Sequence, residues 1–342
     1  MNTDNKQTET PGVCGFRDTF DRVINYLRIS VTDRCNLRCV YCMPKKGISL
    51  IGHDDILRYE ELLRIARIAV GGGIRKIRIT GGEPLVRRGI TGFIESLSGL
   101  AHLEEISLTT NGILLQAAAA PLRAAGLKRI NISLDSLNPR KFTTITRGGS
   151  LQSVLDGIRE AQAQGFEPIK INAVVMKGIN DDEVLSFARL TMDRPIHIRF
   201  IELMPVNNRA RWNHTHFISN DEIRTTIEAC YGDLVSLASE QGAGPASMFQ
   251  IKTACGKLGF ISPLSNHFCA TCNRLRLTAD GQLRSCLFSD TETDLKTPLR
   301  TGCSDESLTS LIDRAVLAKP RQNRFIDATL KKCTRTMSAI GG

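Results

Sequence analysis

The sequence lacks the long apolar segments that would mark a membrane-embedded or an exported chain. In its 342 residues, no apolar run approaches the ~18 residues of a membrane-spanning helix. The first ten residues, MNTDNKQTET, are polar and contain no apolar segment of a secretory signal. These absences favour a cytoplasmic protein with no membrane partner. The length suffices for one large domain or two medium-sized ones.

Aromatic residues are also scarce, at 5% of the chain, whereas basic residues are in excess. The 45 Lys and Arg against 35 Asp and Glu give a formal net charge of +10, which suits nucleic acid, a membrane surface or a phosphorylated metabolite as partner. A basic surface that is merely solvated is the alternative. Because proteins that hold single strands stack bases on aromatic side chains, the shortage of aromatics argues against nucleic acid.

The sequence gives no sign of a disulfide framework. Eleven cysteines in a chain without an export signal indicate metal or redox chemistry instead, and six of them fall into two triplets. We interpret the remaining five as packing or surface thiols: Cys14, Cys230, Cys255, Cys303 and Cys333.

The first triplet, Cys35-x3-Cys39-x2-Cys42, has three thiols where a structural zinc site needs four ligands. No neighbouring Asp, Asn or His stands at a familiar spacing for the fourth. Thiolates also hold iron–sulfur clusters, and a [4Fe–4S] cube held by three of them keeps one iron open. We therefore predict a cluster that binds a small molecule at its open iron.

The second triplet is Cys269-x2-Cys272-x13-Cys286. A zinc site is a stronger alternative here, because a CxxC pair with a later cysteine often binds zinc and His267 could supply the fourth ligand. An Asn-Arg-Leu-Arg run at 273–276 lies inside the triplet. On an extended segment its two arginines would point the same way, as a fork for phosphate or a purine edge. We favour a second cluster.

Between residues 26 and 201 a short alternating strand and an amphipathic helix repeat six times, which predicts a parallel sheet. The predicted strands are Tyr26–Val31, Arg75–Thr80, Glu105–Thr110, Lys128–Leu134, Ile169–Val175 and Ile196–Ile201. The clearest helical pattern is YEELLRIARIAV, which has an apolar face of Leu62, Ile65, Ala66 and Ala69.

One face of all six predicted strands is apolar, and the other is polar and largely cationic. A closed eight-stranded barrel is filled with apolar side chains, and a doubly wound sheet is apolar on both faces. We therefore expect an incomplete barrel that encloses a large polar ligand. A flat sheet with one face bare to solvent is the alternative.

The alternation fades after residue 205. Residues 206–216 look like a polar loop, 219–240 predict one helix and a short strand, 241–247 a loop, and a late helix falls near Ser307–Lys319. We divide the chain into a flexible tail (1–20), the partial barrel (21–240) and a C-terminal region with a Gly-Gly tail (241–342).

CxxxCxxC followed one strand later by Gly81-Gly82-Glu83-Pro84 resembles the signature of the radical S-adenosylmethionine enzymes. Together with TTNG, NISLDS, RFIELM, FCATCNRLR and a terminal Gly-Gly, it resembles the branch of that superfamily that cyclises GTP in molybdenum cofactor biosynthesis. The resemblance runs from about residue 20 to the end. It implies an α/β fold, an incomplete (βα)6 TIM-like barrel with a C-terminal extension carrying a second iron–sulfur cluster, in a homodimer.

The cofactors that this resemblance implies are two [4Fe–4S] clusters and S-adenosyl-L-methionine. In the implied reaction a 5′-deoxyadenosyl radical removes H3′ of GTP, and C3′ then attacks guanine C8 to give (8S)-3′,8-cyclo-7,8-dihydroguanosine 5′-triphosphate. The implied partners are a one-electron reductant of the flavodoxin or ferredoxin type and a downstream cyclic pyranopterin synthase.

The resemblance also assigns residues. Cluster ligands fall on Cys35, Cys39, Cys42, Cys269, Cys272 and Cys286, and S-adenosylmethionine contacts on Tyr41, Gly82, Ser133 and Met204. Triphosphate and ribose contacts fall on Arg28, Arg78, Thr109 and Lys170, and guanine contacts on Arg274, Leu275 and Arg276. Arg199 is a further inward-facing candidate, and the Gly341-Gly342 tail would reach the active site.

The sequence leaves two other interpretations of the function open. A peptide-modifying radical enzyme with twin auxiliary clusters would carry further CxxC pairs, whereas Cys303 and Cys333 are isolated. A zinc-knuckle protein that binds nucleic acid would use the net positive charge on phosphates.

Overall fold

The computed structural model describes residues 15–205, 214–238, 244–322 and 335–341. Cys14, Cys333 and Gly342 lie outside these ranges, as do residues 206–213 and 241–243 of the two predicted loops. No helix in the described ranges is long and apolar enough to cross a bilayer.

Six strands alternate with helices in the first part of the chain, as the pattern predicts, and each lies within two residues of its predicted bounds. The strands are β1 (Tyr26–Ser30), β2 (Lys76–Thr80), β3 (Glu105–Thr110), β4 (Arg129–Ser133), β5 (Ile169–Val175) and β6 (Ile196–Glu202). The helices are α1 (Tyr59–Gly71), α2 (Ile90–Ser98), α3 (Leu115–Ala124), α4 (Pro139–Thr146), α5 (Leu151–Ala163) and α6 (Val184–Arg189).

The C-terminal part contains more strands than the sequence predicted. They are β7 (Val235–Ser236), β8 (Ser247–Gln250), β9 (Lys257–Ile261), β10 (Arg274–Leu277), β11 (Gln282–Arg284) and β12 (Thr293–Asp294). The helices of this part are α7 (Asn220–Tyr231), α8 (Lys296–Arg300), α9 (Asp305–Leu317) and α10 (Met337–Ile340). The helix and short strand predicted within 219–240 and the late helix are confirmed, whereas β8 to β12 were missed.

The strand order explains how the two parts form one sheet. It runs β12-β11-β10-β1-β2-β3-β4-β5-β6-β9-β8-β7. Because β10 pairs parallel with β1 and β9 pairs parallel with β6, eight adjacent strands are parallel. The predicted incomplete (βα)6 barrel is confirmed, and the C-terminal part extends it at both edges.

The apolar strand face packs under the helices and forms the main core. In α1 the predicted face of Leu62, Ile65, Ala66 and Ala69 is buried there. Residues 15–20 of the predicted tail pack against the fold as well: Phe16 is only 5% exposed. A Cβ on Gly72 would lie 2.1 Å from Cζ of the Phe16 ring, so glycine at position 72 makes room for this ring.

Candidate functional site

The polar strand face encloses a cavity of about 860 Å³. Its lining includes the inward side chains of the parallel strands and all six cysteines of the two triplets. The predicted incomplete barrel around a large polar ligand therefore has a matching space.

The two cysteine triplets lie at opposite ends of this cavity. Cys35 to Cys42 follow the carboxyl end of β1, whereas Cys269 and Cys272 precede the amino end of β10, which runs parallel to β1. β11 is antiparallel to β10, so Cys286 returns to the amino end as well. A five-residue strand spans roughly 17 Å, which leaves room for a ligand between the triplets.

The loop of the first triplet is braced by its neighbours. The amides of Arg38 and Val40 donate to the last two carbonyls of α4, those of Thr146 and Ile145, at 3.0 and 2.9 Å. The amide of Cys42 donates to the carbonyl of Cys39 at 3.0 Å, and both residues line the cavity. Burial raises the pKa of the Cys39 thiol well above its usual range, and the nearby Cys42 and Asp135 raise it further.

Gly82 lies directly against the chain that enters the first triplet. A Cβ there would stand 2.3 Å from the carbonyl oxygen of Arg34, so no other residue fits. The Gly82 amide donates to the carbonyl of Thr32 at 2.6 Å, and the Glu83 amide donates to that of Arg34 at 2.8 Å. These contacts fix the loop at the cavity rim.

The carboxylate of Glu83 is buried, is not part of the cavity wall, and supports the end of the third strand. It accepts hydrogen bonds from the hydroxyl of Thr110 at 2.8 Å and the amide of Asn111 at 2.6 Å. The amide group of Asn111 in turn donates to the sulfur of Cys35 at 3.8 Å. Burial raises the pKa of Glu83 to about 7, against the effect of these hydrogen bonds.

Tyr41 and Asp135 form a buried pair at the first triplet, and both line the cavity. The Tyr41 hydroxyl donates to Oδ2 of Asp135 at 2.7 Å, and Oδ1 of Asp135 accepts from the Val174 amide at 2.9 Å. Burial raises the pKa of Asp135 to about 6, although both hydrogen bonds oppose the shift. Ser133 and Met204 line the same end of the cavity.

Cations surround the second triplet. The Arg274 guanidinium donates to the sulfur of Cys272 at 3.9 Å and lies 4.8 Å from the centre of the Phe268 ring. Burial would raise the pKa of Cys272, but the charges of Arg274 and Lys319 outweigh it and lower the pKa to about 6. This thiol is therefore held in an environment that favours its thiolate.

Basic side chains outnumber acidic ones between the triplets. Among the described residues, nine Lys and Arg side chains line the cavity against three Asp and Glu. The basic set is Arg28, Lys76, Arg78, Arg129, Lys170, Arg199, Lys257, Arg274 and Arg276, and the acidic set is Glu105, Asp135 and Glu167. Such an excess suits a polyanionic ligand.

The cavity cations repel one another in the ligand-free protein. Burial, followed by the charges of Arg199 and Arg129, lowers the pKa of Lys170 to about 7. Burial and the charge of Arg78 lower the pKa of Arg199 to about 10. A bound polyanion would reverse these shifts because it favours the charged forms.

Several buried polar atoms along the cavity make no hydrogen bond within the described residues. They include the hydroxyl of Thr109, Oδ1 of Asn172 and Nε of Arg199. Unpartnered buried groups are costly, so these atoms are available to a polar ligand.

The six thiols provide the donor set of an iron–sulfur site. All six are partly exposed to the cavity and none forms a disulfide. Within the described ranges no three His, Cys, Asp or Glu side chains converge on a single-ion site. Soft sulfur donors on the wall of a roomy cavity fit two [4Fe–4S] cubes. His267 lines the cavity beside the second triplet.

The C-terminal segment enters the cavity between two of its cations. The carbonyl oxygen of Gly341 accepts from Arg276 at 3.0 Å and from Arg28 at 3.4 Å. Gly341 has φ +69°, and a Cβ would stand 2.4 Å from the Thr80 hydroxyl. The tail reaches the cavity as expected, and its geometry requires glycine at 341.

Leu275 is the one candidate residue whose side chain lies elsewhere. It is 1% exposed and packs in the main core, on the side of its register partner Leu27. Arg274 and Arg276 alternate with it and line the cavity. Any contact from Leu275 to a ligand would therefore come from its main chain.

Sequence comparison places both parts of the chain in known families. The model of the Radical SAM superfamily matches residues 29–191, and that of Molybdenum Cofactor Synthesis C matches residues 196–325. The GTP 3′,8-cyclase of Moorella thermoacetica is 51% identical over 326 residues, which cover 95% of this chain and 100% of the relative. The chain belongs to the GTP 3′,8-cyclase family.

Other relatives support the same assignment. The GTP 3′,8-cyclase of Thermodesulfovibrio yellowstonii is 51% identical over 95% of this chain and 100% of its own length. Among solved structures, Streptococcus suis SuiB bound to S-adenosylmethionine matches with a TM-score of 0.59 at 13% identity, over 80% of this chain and 64% of that chain. The SuiB likeness shows the shared fold.

The site also contains residues that sequence reasoning did not single out. Asp135 follows Ser133 in NISLDS, and Lys257 lies on a strand that the sequence did not predict. Lys319 approaches the second triplet from beyond the end of α9. A signal existed only for Asp135, since it stands within one of the motifs behind the resemblance.

Proposed function

We propose that this protein converts GTP to (8S)-3′,8-cyclo-7,8-dihydroguanosine 5′-triphosphate, the first step of molybdenum cofactor biosynthesis. It is a radical S-adenosylmethionine enzyme of the lyase class that uses [4Fe–4S] clusters. The observation that carries this function is the placement of two thiol triplets at opposite ends of one cationic cavity.

The first triplet would hold the cluster that binds S-adenosylmethionine. Cys35, Cys39 and Cys42 are its proposed ligands, and the cofactor supplies the 5′-deoxyadenosyl radical that removes H3′ of GTP. Proposed contacts to the cofactor come from Tyr41, Gly82, Ser133 and Met204. They are supported by their position on the cavity wall beside this triplet.

The second triplet would hold the auxiliary cluster and the guanine. Cys269, Cys272 and Cys286 are its proposed ligands, and Arg274, Leu275 and Arg276 the proposed guanine contacts. Holding the base at a fixed point would keep C8 within reach of C3′, which is a matter of orientation rather than acid–base catalysis.

The middle of the cavity would bind the triphosphate and ribose. The proposed contacts are Arg28, Arg78, Thr109 and Lys170. Arg199 is a further candidate, because its side chain lines the cavity and its buried Nε makes no hydrogen bond within the described residues. Fixed cations favour phosphate binding. The enclosing walls would also keep water from the radical.

We further propose that the protein is a cytoplasmic homodimer, reduced by a one-electron carrier of the flavodoxin or ferredoxin type, whose product passes to a cyclic pyranopterin synthase. We keep the partial barrel (21–240) and the C-terminal region (241–342) as a proposed division, whereas residues 15–20 of the predicted tail (1–20) pack against the fold. The two family models meet at residues 191–196 instead. The sheet contains strands on both sides of residues 191–196 and on both sides of residue 240.

The test is deuterium transfer. Anaerobically reconstituted protein with [3′-²H]GTP, S-adenosylmethionine and reductant should release deuterated 5′-deoxyadenosine together with the cyclised nucleotide. Unlabelled 5′-deoxyadenosine from that substrate would contradict abstraction at C3′. Zinc in place of iron in the reconstituted protein would contradict the assignment of iron–sulfur clusters to both triplets.

A further inference from the structure

Lys319 is a buried ammonium at the second triplet, and it is not among the proposed contacts to GTP or S-adenosylmethionine. It is 3% exposed, although an ammonium is expensive to remove from water unless it is compensated. Nζ donates to two main-chain carbonyls, at 2.9 Å to Arg274 and at 2.5 Å to Ser285. Carbonyls solvate the charge but do not neutralise it.

These two carbonyls belong to the segments that carry two of the three thiols. Arg274 stands two residues after Cys272, and Ser285 directly precedes Cys286. Lys319 therefore bridges β10 and the end of β11 at the point where both segments reach the cavity. Burial lowers the pKa of Lys319, and the nearby Cys272 and Cys286 offset part of this shift.

The third thiol is anchored by a second buried cation, Arg22. Its Nη1 donates to the carbonyl of Cys269 at 2.7 Å, and its Nη2 donates to that of Pro320 at 2.7 Å. Asp18 holds the guanidinium in place through Nε at 2.5 Å. Because Pro320 follows Lys319, the two cations support each other and together reach all three cysteine segments.

We propose that Lys319 and Arg22 are positioning residues for the auxiliary cluster, and that the fixed charge of Lys319 raises its reduction potential. A [4Fe–4S] cube held by three thiolates has a net negative charge, and reduction by one electron adds one further negative charge. A nearby buried ammonium therefore stabilises the reduced state. This inference rests on the proposed assignment of a cluster to the second triplet.

The experiment is a redox titration of full-length, anaerobically reconstituted protein followed by EPR. The auxiliary signal is first identified as the one that Cys272→Ala removes, with the loss of about half the iron. Lys319→Met should then reduce the ratio of reduced to oxidised auxiliary cluster about tenfold at a given potential, about 59 mV for one electron. The signal of the first cluster should stay at its original potential.

Lys319→Arg restores the charge and should restore the potential. Lys296→Met removes a lysine charge elsewhere in the C-terminal part, where it pairs with Asp55, and should change neither cluster. If Lys319→Met yields no soluble protein, Arg22→Lys offers a second route: weaker anchoring of the Cys269 segment should broaden or diminish the auxiliary signal alone.

Two results would overturn the inference. In one, Lys319→Met leaves the auxiliary potential and line shape unchanged; in the other, both clusters shift equally. If instead Cys272→Ala leaves the iron content and the spectrum intact, the proposed second cluster itself is wrong.

Discussion

The two ends of the cavity hold the same three-thiol arrangement in opposite electrostatic settings. At the first triplet burial raises the thiol pKa values, and the carboxyls of Asp135 and Glu83 raise them further. At the second triplet Arg274 and Lys319 lower the pKa of Cys272 to about 6. The difference supports the proposed roles, in which the first triplet holds the cluster that binds S-adenosylmethionine and the more positive end holds the guanine of GTP.

The comparison is tested most severely by removing one thiol from each end. We expect Cys39→Ala to abolish 5′-deoxyadenosine formation, since the cofactor loses its cluster. Cys272→Ala should still cleave S-adenosylmethionine slowly but give no cyclised nucleotide, because the guanine is no longer held. Chromatography of both products under anaerobic conditions measures this.

Cys230→Ala is the control for thiol removal, since Cys230 is exposed and is not part of the cavity wall. It should retain wild-type activity. If Cys39→Ala and Cys272→Ala produced the same pattern of products, the two ends would not have separate roles.

The second prediction concerns the cationic end. Arg276→Ala should weaken GTP binding by about 100-fold, since hydrogen bonds to charged groups are worth about 1.5–3 kcal/mol. S-adenosylmethionine binding should not change. Equilibrium dialysis of each ligand measures both, with Arg300→Ala, which removes a contact to Glu61 at the surface, as the control. An equal loss of both affinities would contradict the separation.

The third prediction uses the pKa of Lys170, which is lowered to about 7 in the ligand-free cavity. Above pH 7 this lysine is mostly neutral, and a bound triphosphate recharges it. GTP binding should therefore take up a proton and weaken by up to about tenfold per pH unit between pH 7.5 and 9. Calorimetry in buffers of different ionisation enthalpy measures the uptake.

Lys170→Met should reduce this slope. The variant should also stabilise the ligand-free protein at pH 7 and below. The unfolded chain binds the Lys170 proton more tightly, so this residue opposes folding most strongly at low pH and less as pH rises from 7 to 10.5. An unchanged slope in the variant would assign the proton uptake to another group.

The smallest expected effect is at the first triplet. Tyr41→Phe removes the hydrogen bond to Asp135, worth about 1 kcal/mol, and should weaken S-adenosylmethionine binding about fivefold. GTP affinity should not move. Tyr231→Phe, on α7, is the matched control. A larger loss of GTP affinity than of S-adenosylmethionine affinity would contradict the proposed position of Tyr41 at the cofactor.

The sequence predicted the six strands of the first part well because their two faces differ so clearly. Ile77 and Ile79 are buried in the core, whereas Lys76 and Arg78 line the cavity. This alternation predicts both the parallel sheet and the positive charge of the sheet face that lines the cavity. The cysteine spacing similarly predicted two triplets, and the structure brings all six thiols to the wall of one cavity.

What the sequence did not reveal depends on contacts between distant segments. β10 pairs with β1 across about 250 residues, and β11 has only three residues, so neither has a local pattern that predicts it. Glu83 stands in a motif that carries the family resemblance, but its carboxylate accepts hydrogen bonds from Thr110 and Asn111. The burial of Leu275 follows from a register that only the paired sheet defines.

The pairing of β9 with β6 and of β10 with β1 has a consequence during synthesis on the ribosome. Both edges of the six-stranded sheet stay unpaired until residues 257–261 and 274–277 have emerged. An exposed strand edge invites pairing with other chains, and such long-range contacts form slowly. The nascent chain therefore has a late and vulnerable interval in which chaperone protection would improve its yield most.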